Sequence, residues 1–147
     1  AVATLIAGLA AVLAAFWTIR ATEQSVHRQA SDRRRAIAAR ALAIAQRIID
    51  RKSELRRDNS IASFVLGTQA IANLSADVGL LGFHATQIFT KVEEASLEAR
   101  LRSEQMSSSS SITAGGVRVQ YEVAVDGLEA ACQQLKRLCI PIYEGKP

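Results

Sequence analysis

Histidine and cysteine are the side chains of this 147-residue sequence with the greatest capacity for acid–base, metal or redox chemistry, and the sequence has two of each. Seven-residue steps separate Asp77, His84 and Lys91, which would place three polar groups on one face of a helix. A proton relay or a metal site would need more ligands converging on that face, and no cluster in the sequence has zinc-site spacing. We therefore interpret the stripe as a solvated helix face and expect no bound metal.

The two cysteines, Cys132 and Cys139, are also seven residues apart. On one helix they would share a face about 10 Å apart, which is too far for a disulfide between them. We interpret them as small buried apolar residues. An intermolecular bridge and a redox role are the alternatives.

Other catalytic signatures are not found in the sequence. Gly115 and Gly116 precede a predicted strand and lack the Lys-Ser/Thr pair of a phosphate-binding loop. Neither the serine-nucleophile pattern nor the thiol-protease pattern occurs. The serine run at 107–111 could accept phosphate groups, but a linker is the simpler interpretation. We therefore expect that the protein is not an enzyme and that it binds no cofactor.

The first nineteen residues, Ala1 to Ile19, contain neither charge nor proline. As a helix they would extend about 28 Å, close to the roughly 30 Å of a bilayer's hydrocarbon layer. Trp17 precedes the first charge, Arg20, where an aromatic ring would meet lipid headgroups. We predict a single membrane-spanning helix over residues 1–19; a cleaved signal peptide and a buried soluble helix are the alternatives.

Small residues recur along this predicted span, mostly at four-residue spacing. Such stripes let two helices approach closely in a membrane. We therefore expect a second copy of the chain, or another membrane-protein subunit, to pack against it. The predicted packing residues are Ala3, Ala7, Gly8, Ala11 and Ala15.

A basic collar, residues 20–57, follows the span with eleven Lys or Arg and four acids, a balance of +7. Residues 58–147 hold seven bases and ten acids, a balance of −3. Because basic residues flanking a span stay on the cytoplasmic side, we expect the C-terminal body in the cytoplasm.

The collar could also contact anionic lipid headgroups. The alternative is that it only sets the orientation of the span in the membrane, which requires no headgroup binding. The sequence argues against nucleic acid as a partner, since no aromatic residue interleaves with the arginines of the collar. The predicted headgroup contacts are Trp17, Arg20, Arg28, Arg33, Arg34 and Arg35.

Helical patterns dominate the middle of the chain. Residues 20–58 lack glycine and proline, and their apolar residues recur at steps of three and four, which predicts a basic amphipathic helix. The same spacing over residues 59–106 predicts a second long helix, with a kink at the glycines of 79–82. We expect the two to form an antiparallel hairpin. We reject a second membrane span over residues 61–83, because inserting the charged Asp77 into a bilayer would be costly.

The C-terminal third is predicted to begin with a Ser/Gly linker at 107–116. Residues 117–147 would then form a strand and a short helix, joined by a turn at Asp126-Gly127 and ended by Pro141. The strand would need a partner, either a hairpin arm at 108–113 or a strand of another chain. The apolar residues that alternate along the predicted strand are Val117, Val119, Tyr121, Val123 and Val125.

The predicted fold is thus mainly α: a single N-terminal transmembrane helix that continues into a long cytoplasmic helical hairpin, followed by a small C-terminal strand and helix. In the composition of its first fifty residues the chain resembles small bacterial inner-membrane proteins, in which an Ala/Leu-rich span ends in Trp and Arg. That resemblance implies no functional residue.

The sequence favours a non-enzymatic, membrane-anchored assembly or accessory protein. One alternative is an envelope-spanning, lysis-type protein with its helices outside the cytoplasm, as in phage inner-membrane spanins. The basic collar argues against this alternative. Another is a membrane-bound sensor whose C-terminal module binds a ligand or partner.

Overall fold

The computed structural model describes residues 1–66, 69–110 and 114–146, with the backbone alone for Phe64. Within these residues the protein is mainly helical and has no strand. Two 3-10 turns, Asn59–Ile61 and Gly79–Leu81, connect some of the helices. The α-helices are α1 (Val2–Asp50), α2 (Lys52–Arg57), α3 (Ala62–Leu66), α4 (Gln69–Val78), α5 (Phe83–Ser108) and α6 (Ala114–Glu144).

The chain divides into two compact units, residues 1–33 and residues 34–147. The first unit is the N-terminal part of α1, and all of its residues are exposed. Thr18 and Thr22 donate their hydroxyls to carbonyls one turn earlier, each at 2.8 Å. The hydroxyls of Thr18 and Thr22 are therefore satisfied within the helix.

The second unit holds every buried apolar residue of the described chain, from Ile37 to Cys139. On α5 and α6 a line of buried positions follows alternating steps of four and three residues, an average at which two helices stay in contact along their length. Ile88 on α5 and Ala131 on α6 are buried next to this line. Its members are Ala85, Phe89, Val92, Ser96, Ala99 and Ser103 on α5, and Tyr121, Val125, Leu128, Cys132, Leu135 and Cys139 on α6.

Polar contacts fix the direction of α1 and α2 against α6. Lys136 of α6 donates to the Gln46 side chain of α1 at 2.8 Å. Towards the other end of the pair, Arg56 of α2 donates to Asp126 at 2.5 Å. The residue numbers rise on one segment as they fall on the other, so the two segments are antiparallel.

The remaining contacts place α4 and α5. Arg40 of α1 pairs with Asp77 of α4 at 3.2 Å. Asn59, just after α2, exchanges hydrogen bonds with Ser103 of α5, whose hydroxyl donates to the Asn59 carbonyl at 2.6 Å. Residues 34–57, α3 with α4, α5 and α6 thus form a bundle whose successive segments run up and down.

The predicted C-terminal strand is wrong, because its residues lie in α6. A half-buried strand would bury every second residue. Instead the burial follows helical steps that continue to Cys139, about four turns beyond the supposed strand. Packing against the other helices outweighs the strand preference of valine, which is a weak effect at each position. Of the predicted pairing residues, Tyr121 and Val125 are buried, Val117 is partly buried, and Val119 and Val123 are exposed.

The predicted turn at Asp126-Gly127 is also helical, and α6 continues past Pro141. A proline removes one helical hydrogen bond, and here that loss falls within two turns of the helix end. The helix stops at Gly145, which has a φ of +72°. The N–H groups of Gly145 and Lys146 donate to the carbonyls of Ile142 and Pro141 at 3.2 and 2.9 Å, as in a glycine C-cap.

The second long helix of the prediction is divided in the structure into α3, α4 and α5. Asp58 starts this part of the chain, accepting a hydrogen bond from the Ser60 N–H at 2.9 Å, and bonding to Ser60 lowers the pKa of its carboxyl. Residues 79–82, where the sequence predicts a kink, form a turn in which Gly82 has a φ of +111°. Only glycine adopts that backbone conformation without strain.

The predicted Ser/Gly linker is shorter than expected. Ser107 and Ser108 complete the last turn of α5, and Ala114 to Gly116 begin α6. Ser109 and Ser110 form neither helix nor strand, and residues 111–113 lie outside the described part of the chain. The described residues of the supposed hairpin arm therefore supply no strand partner.

Candidate functional site

Residues 2–19 of the first unit present an exposed apolar surface. Each large apolar side chain there exposes more than half of its area. Within the described residues, α1 is the one helix long and apolar enough to cross a membrane, with a mean hydropathy of 2.2 in its most apolar window and no burial. The large side chains are Val2, Leu5, Ile6, Leu9, Val12, Leu13, Phe16, Trp17 and Ile19.

Water is a poor environment for this surface. Removing one large apolar side chain from water contributes roughly 1.5–3 kcal/mol, so nine of them represent on the order of 20 kcal/mol. The small residues between them, Ala3, Ala7, Gly8, Ala11 and Ala15, are exposed as well. A Cβ built on Gly8 meets no atom within 4 Å, so this side of the helix is open to a neighbour.

The arginines of the basic collar are exposed along α1, including Arg20, Arg28, Arg33 and Arg34. Arg35, which belongs to the second unit, is placed differently. Its guanidinium lies against Gly145, directly after the C-terminus of α6. A cation there interacts favourably with the last carbonyls of the helix, so Arg35 also stabilises the bundle.

The predicted polar face of Asp77, His84 and Lys91 does not form. The turn at 79–82 separates Asp77 on α4 from the other two on α5, and Asp77 faces Arg40. His84 and Lys91 instead line an open groove of about 1010 Å³ between α5 and α6, together with Arg137. No acidic residue lines this groove among the described residues.

Cys132 and Cys139 are free thiols with no exposed surface. Burial, and secondarily the nearby Glu129 carboxylate, raises the pKa of Cys132 to about 12. Burial raises the pKa of Cys139 to about 11. Thiols held in their neutral form away from solvent are poor nucleophiles and metal ligands, so both act as packing residues.

An ionic cluster joins α2 to α6. Lys52 pairs with Glu129 and lies 3.4 Å from Asp126, which also accepts from Arg56. Hydrogen bonding to Glu129 is the main cause that holds the pKa of Lys52 above its usual value. Each group keeps a partner of opposite charge, so this cluster is a connection within the bundle.

A pocket of about 400 Å³ lies between the α3–α4 segment and α5. Glu93, Ser96, Leu97 and Arg100 line it from one face of α5, at steps of three, one and three residues. The Ser96 hydroxyl and the Arg100 Nε are buried without a hydrogen-bond partner among the described residues. This pocket was not predicted from the sequence, although Ser96 stands at an apolar core position between the opposite charges of Glu93 and Arg100.

The described residues contain no group of three His, Cys, Asp or Glu that could hold a metal ion. No family model, no curated protein and no solved structure matches this chain. The geometry of these surfaces is therefore the basis for assigning a function.

Proposed function

We propose that the protein is a single-pass membrane protein that acts through helix packing rather than catalysis. The observation that carries the proposal is the exposed apolar surface of residues 2–19, in a chain whose second unit has a buried core of its own. Since that second unit holds every buried apolar residue, nothing in it needs the N-terminal apolar segment for folding. A bilayer would accommodate this segment.

The charge distribution supports a cytoplasmic location for the bundle. The collar carries a balance of +7 directly after the apolar segment, and the rest of the chain carries −3. Basic residues close to a span resist translocation. The exposed arginines at 20, 28, 33 and 34 would meet anionic headgroups, each contributing about 1 kcal/mol near the surface.

The partner in the membrane is a second copy of this chain. The small residues leave one side of the helix shallow, and close backbone approach is the main source of helix association in lipid. Because residues 117–125 are helical, they do not form the strand that would pair with another chain, and the proposed assembly surface is the membrane segment.

Oxidative crosslinking in native membranes tests this assembly. Ala11→Cys places a thiol on the small-residue side, and Leu9→Cys places one at nearly the same depth but about 200° around the helix. We expect a crosslinked dimer with Ala11→Cys and little or none with Leu9→Cys. The native thiols are buried and give a low background.

Equal crosslinking of both variants, or of neither, would contradict a defined helix pair. An adduct between Ala11→Cys and a different membrane protein would replace the second copy with a foreign subunit.

A further inference from the structure

The pocket between the α3–α4 segment and α5 has the composition of a ligand site. Its polar groups are the Glu93 carboxylate, the Ser96 hydroxyl, the Arg100 guanidinium and the Gln69 amide. Its apolar lining is Leu66, Ile71, Ala72 and Leu97. At about 400 Å³ it lies within the usual range of small-molecule pockets, which are apolar with a few convergent polar groups.

The Ser96 hydroxyl is the first reason to expect a ligand. Ser96 is 4% exposed, and its oxygen has no hydrogen-bond partner among the described residues. An unsatisfied buried hydroxyl costs about 1–3 kcal/mol, and alanine at this position would avoid that cost. The other core hydroxyl of α5, on Ser103, donates to the Asn59 carbonyl at 2.6 Å.

The opposite charges on the same helix face are the second reason. Arg102 and Arg118 each pair with a glutamate one turn away. Arg100 and Glu93 have no ion pair in the described part of the chain, although both line the pocket and both are partly buried. They stand two turns apart, about 10 Å along the axis, with Ser96 between them.

We propose that this pocket binds a small zwitterion, namely a free amino acid with an apolar side chain. Its carboxylate accepts hydrogen bonds from Arg100 and the Ser96 hydroxyl, a geometry for which guanidinium is well suited. Its ammonium group pairs with Glu93. Its side chain lies against Leu97 and the apolar residues of the α3–α4 segment. A simple anion is disfavoured, because Glu93 would repel it.

This site is independent of the membrane proposal, since it lies wholly within the second unit. The test uses the full chain in detergent micelles, titrated separately with each standard amino acid and followed by calorimetry and thermal unfolding. We expect at least one apolar amino acid to bind and to raise the Tm with increasing concentration.

The variants Arg100→Gln and Glu93→Gln should each weaken that binding by about 10-fold or more. The matched controls are Arg102→Gln and Glu98→Gln, which break the neighbouring surface ion pair outside the pocket and should leave binding unchanged.

Ser96→Ala separates a ligand role from a packing role. We expect this variant to raise the Tm of the free protein, because it removes an unpaired buried hydroxyl, and at the same time to weaken amino-acid binding. A higher Tm with unchanged binding would remove Ser96 from the site and contradict the proposal.

The proposal is overturned if no amino acid binds, or if binding survives both Arg100→Gln and Glu93→Gln. Equal affinity for the carboxylic acid that lacks the amino group would also overturn it, since Glu93 would then have no part in recognition.

Discussion

Tyr121 shows how one side chain connects two helices of the bundle. It is fully buried on α6, and its hydroxyl donates to the Leu55 carbonyl at 2.7 Å. Leu55 lies in the last turn of α2, where carbonyls lose their helical partners because the chain becomes extended at Asp58. The tyrosine therefore satisfies a helix end from a neighbouring helix.

Tyr121→Phe tests this connection. We expect a loss of about 1–2 kcal/mol in the free energy of unfolding, because the ring still packs while the carbonyl is left buried without its donor. Thermal or urea unfolding of the full chain in micelles would measure it. Tyr143→Phe is the control: Tyr143 is more than half exposed, and its change should be neutral. Equal effects of the two variants would contradict the assignment.

The buried thiols and the buried tyrosine hydroxyl make the stability of the protein depend on pH in the alkaline range. The pKa values of Cys132, Cys139 and Tyr121 are raised to about 12, 11 and 12 from 9.0, 9.0 and 10.0, mainly by burial. The unfolded chain then loses these protons first as pH rises. Stability is therefore fully present below about pH 9 and is lost towards pH 12, by at most about 1.4 kcal/mol per group and pH unit.

A pH series of thermal unfolding between about pH 8 and pH 11 measures this loss. We expect the Tm to fall above about pH 9, and to fall less steeply when Cys132 and Cys139 are both alanine. A Tm that stays level across this range would show that the thiols ionise normally and are not buried.

At the scale of elements, the sequence predicted helices where apolar residues recur at three and four, and it failed where two periodicities coincide. Over residues 117–125 every second residue is apolar, yet Tyr121 and Val125 are also four apart and continue to Leu128 and Cys132. Nine residues cannot separate the two patterns. The longer run of burial to Cys139 does, and it depends on which helices pack against α6.

Two glycines, Gly127 and Gly82, both predict a turn or kink from the sequence, and only one of them lies in a turn. Gly127 contributed to the predicted turn, but it lies in the middle of α6, exposed, with no atom within 4 Å of a Cβ built on it. Gly82 lies in a real turn, at a φ of +111°. The sequence alone does not distinguish these glycines, because the difference is in the backbone conformation that packing imposes.

The substitutions Gly127→Ala and Gly82→Ala should therefore have opposite effects. We expect Gly127→Ala to stabilise the bundle by about 0.5–1 kcal/mol, through lower chain entropy in the unfolded state. We expect Gly82→Ala to destabilise it by about 1–3 kcal/mol, because the backbone there is strained for any side chain. Unfolding measurements on both variants are the check, and destabilisation by Gly127→Ala would argue against helix at that position.

At the scale of the whole molecule, composition was the most informative property. The absence of charge from residues 1–19 predicted an apolar helix. Among the described residues, the structure has one helix that is long and apolar enough to cross a membrane. The predicted hairpin, by contrast, is a four-segment bundle in the structure. Its assembly depends on the turn at 79–82 and on contacts between distant residues, such as Arg40 with Asp77, that spacing does not encode.

The pocket at Ser96 also depends on long-range packing. Its α5 residues are visible in the sequence as a face with regular spacing, but the apolar wall comes from Leu66, Ile71 and Ala72, more than twenty residues earlier. A binding site built from two segments becomes apparent only when their contact is known.

We propose that residues 1–19 cross a membrane with the bundle on the cytoplasmic side. Two variants test this, each with one added thiol on one side of the proposed span. Ala1→Cys places the thiol before the span, and Ser75→Cys places it on the exposed surface of α4 in the bundle. The native cysteines are buried and remain silent. We predict that an impermeant maleimide labels Ala1→Cys in intact cells and labels Ser75→Cys only after lysis. Labelling of Ser75→Cys in intact cells would contradict the account and place the bundle outside the cytoplasm.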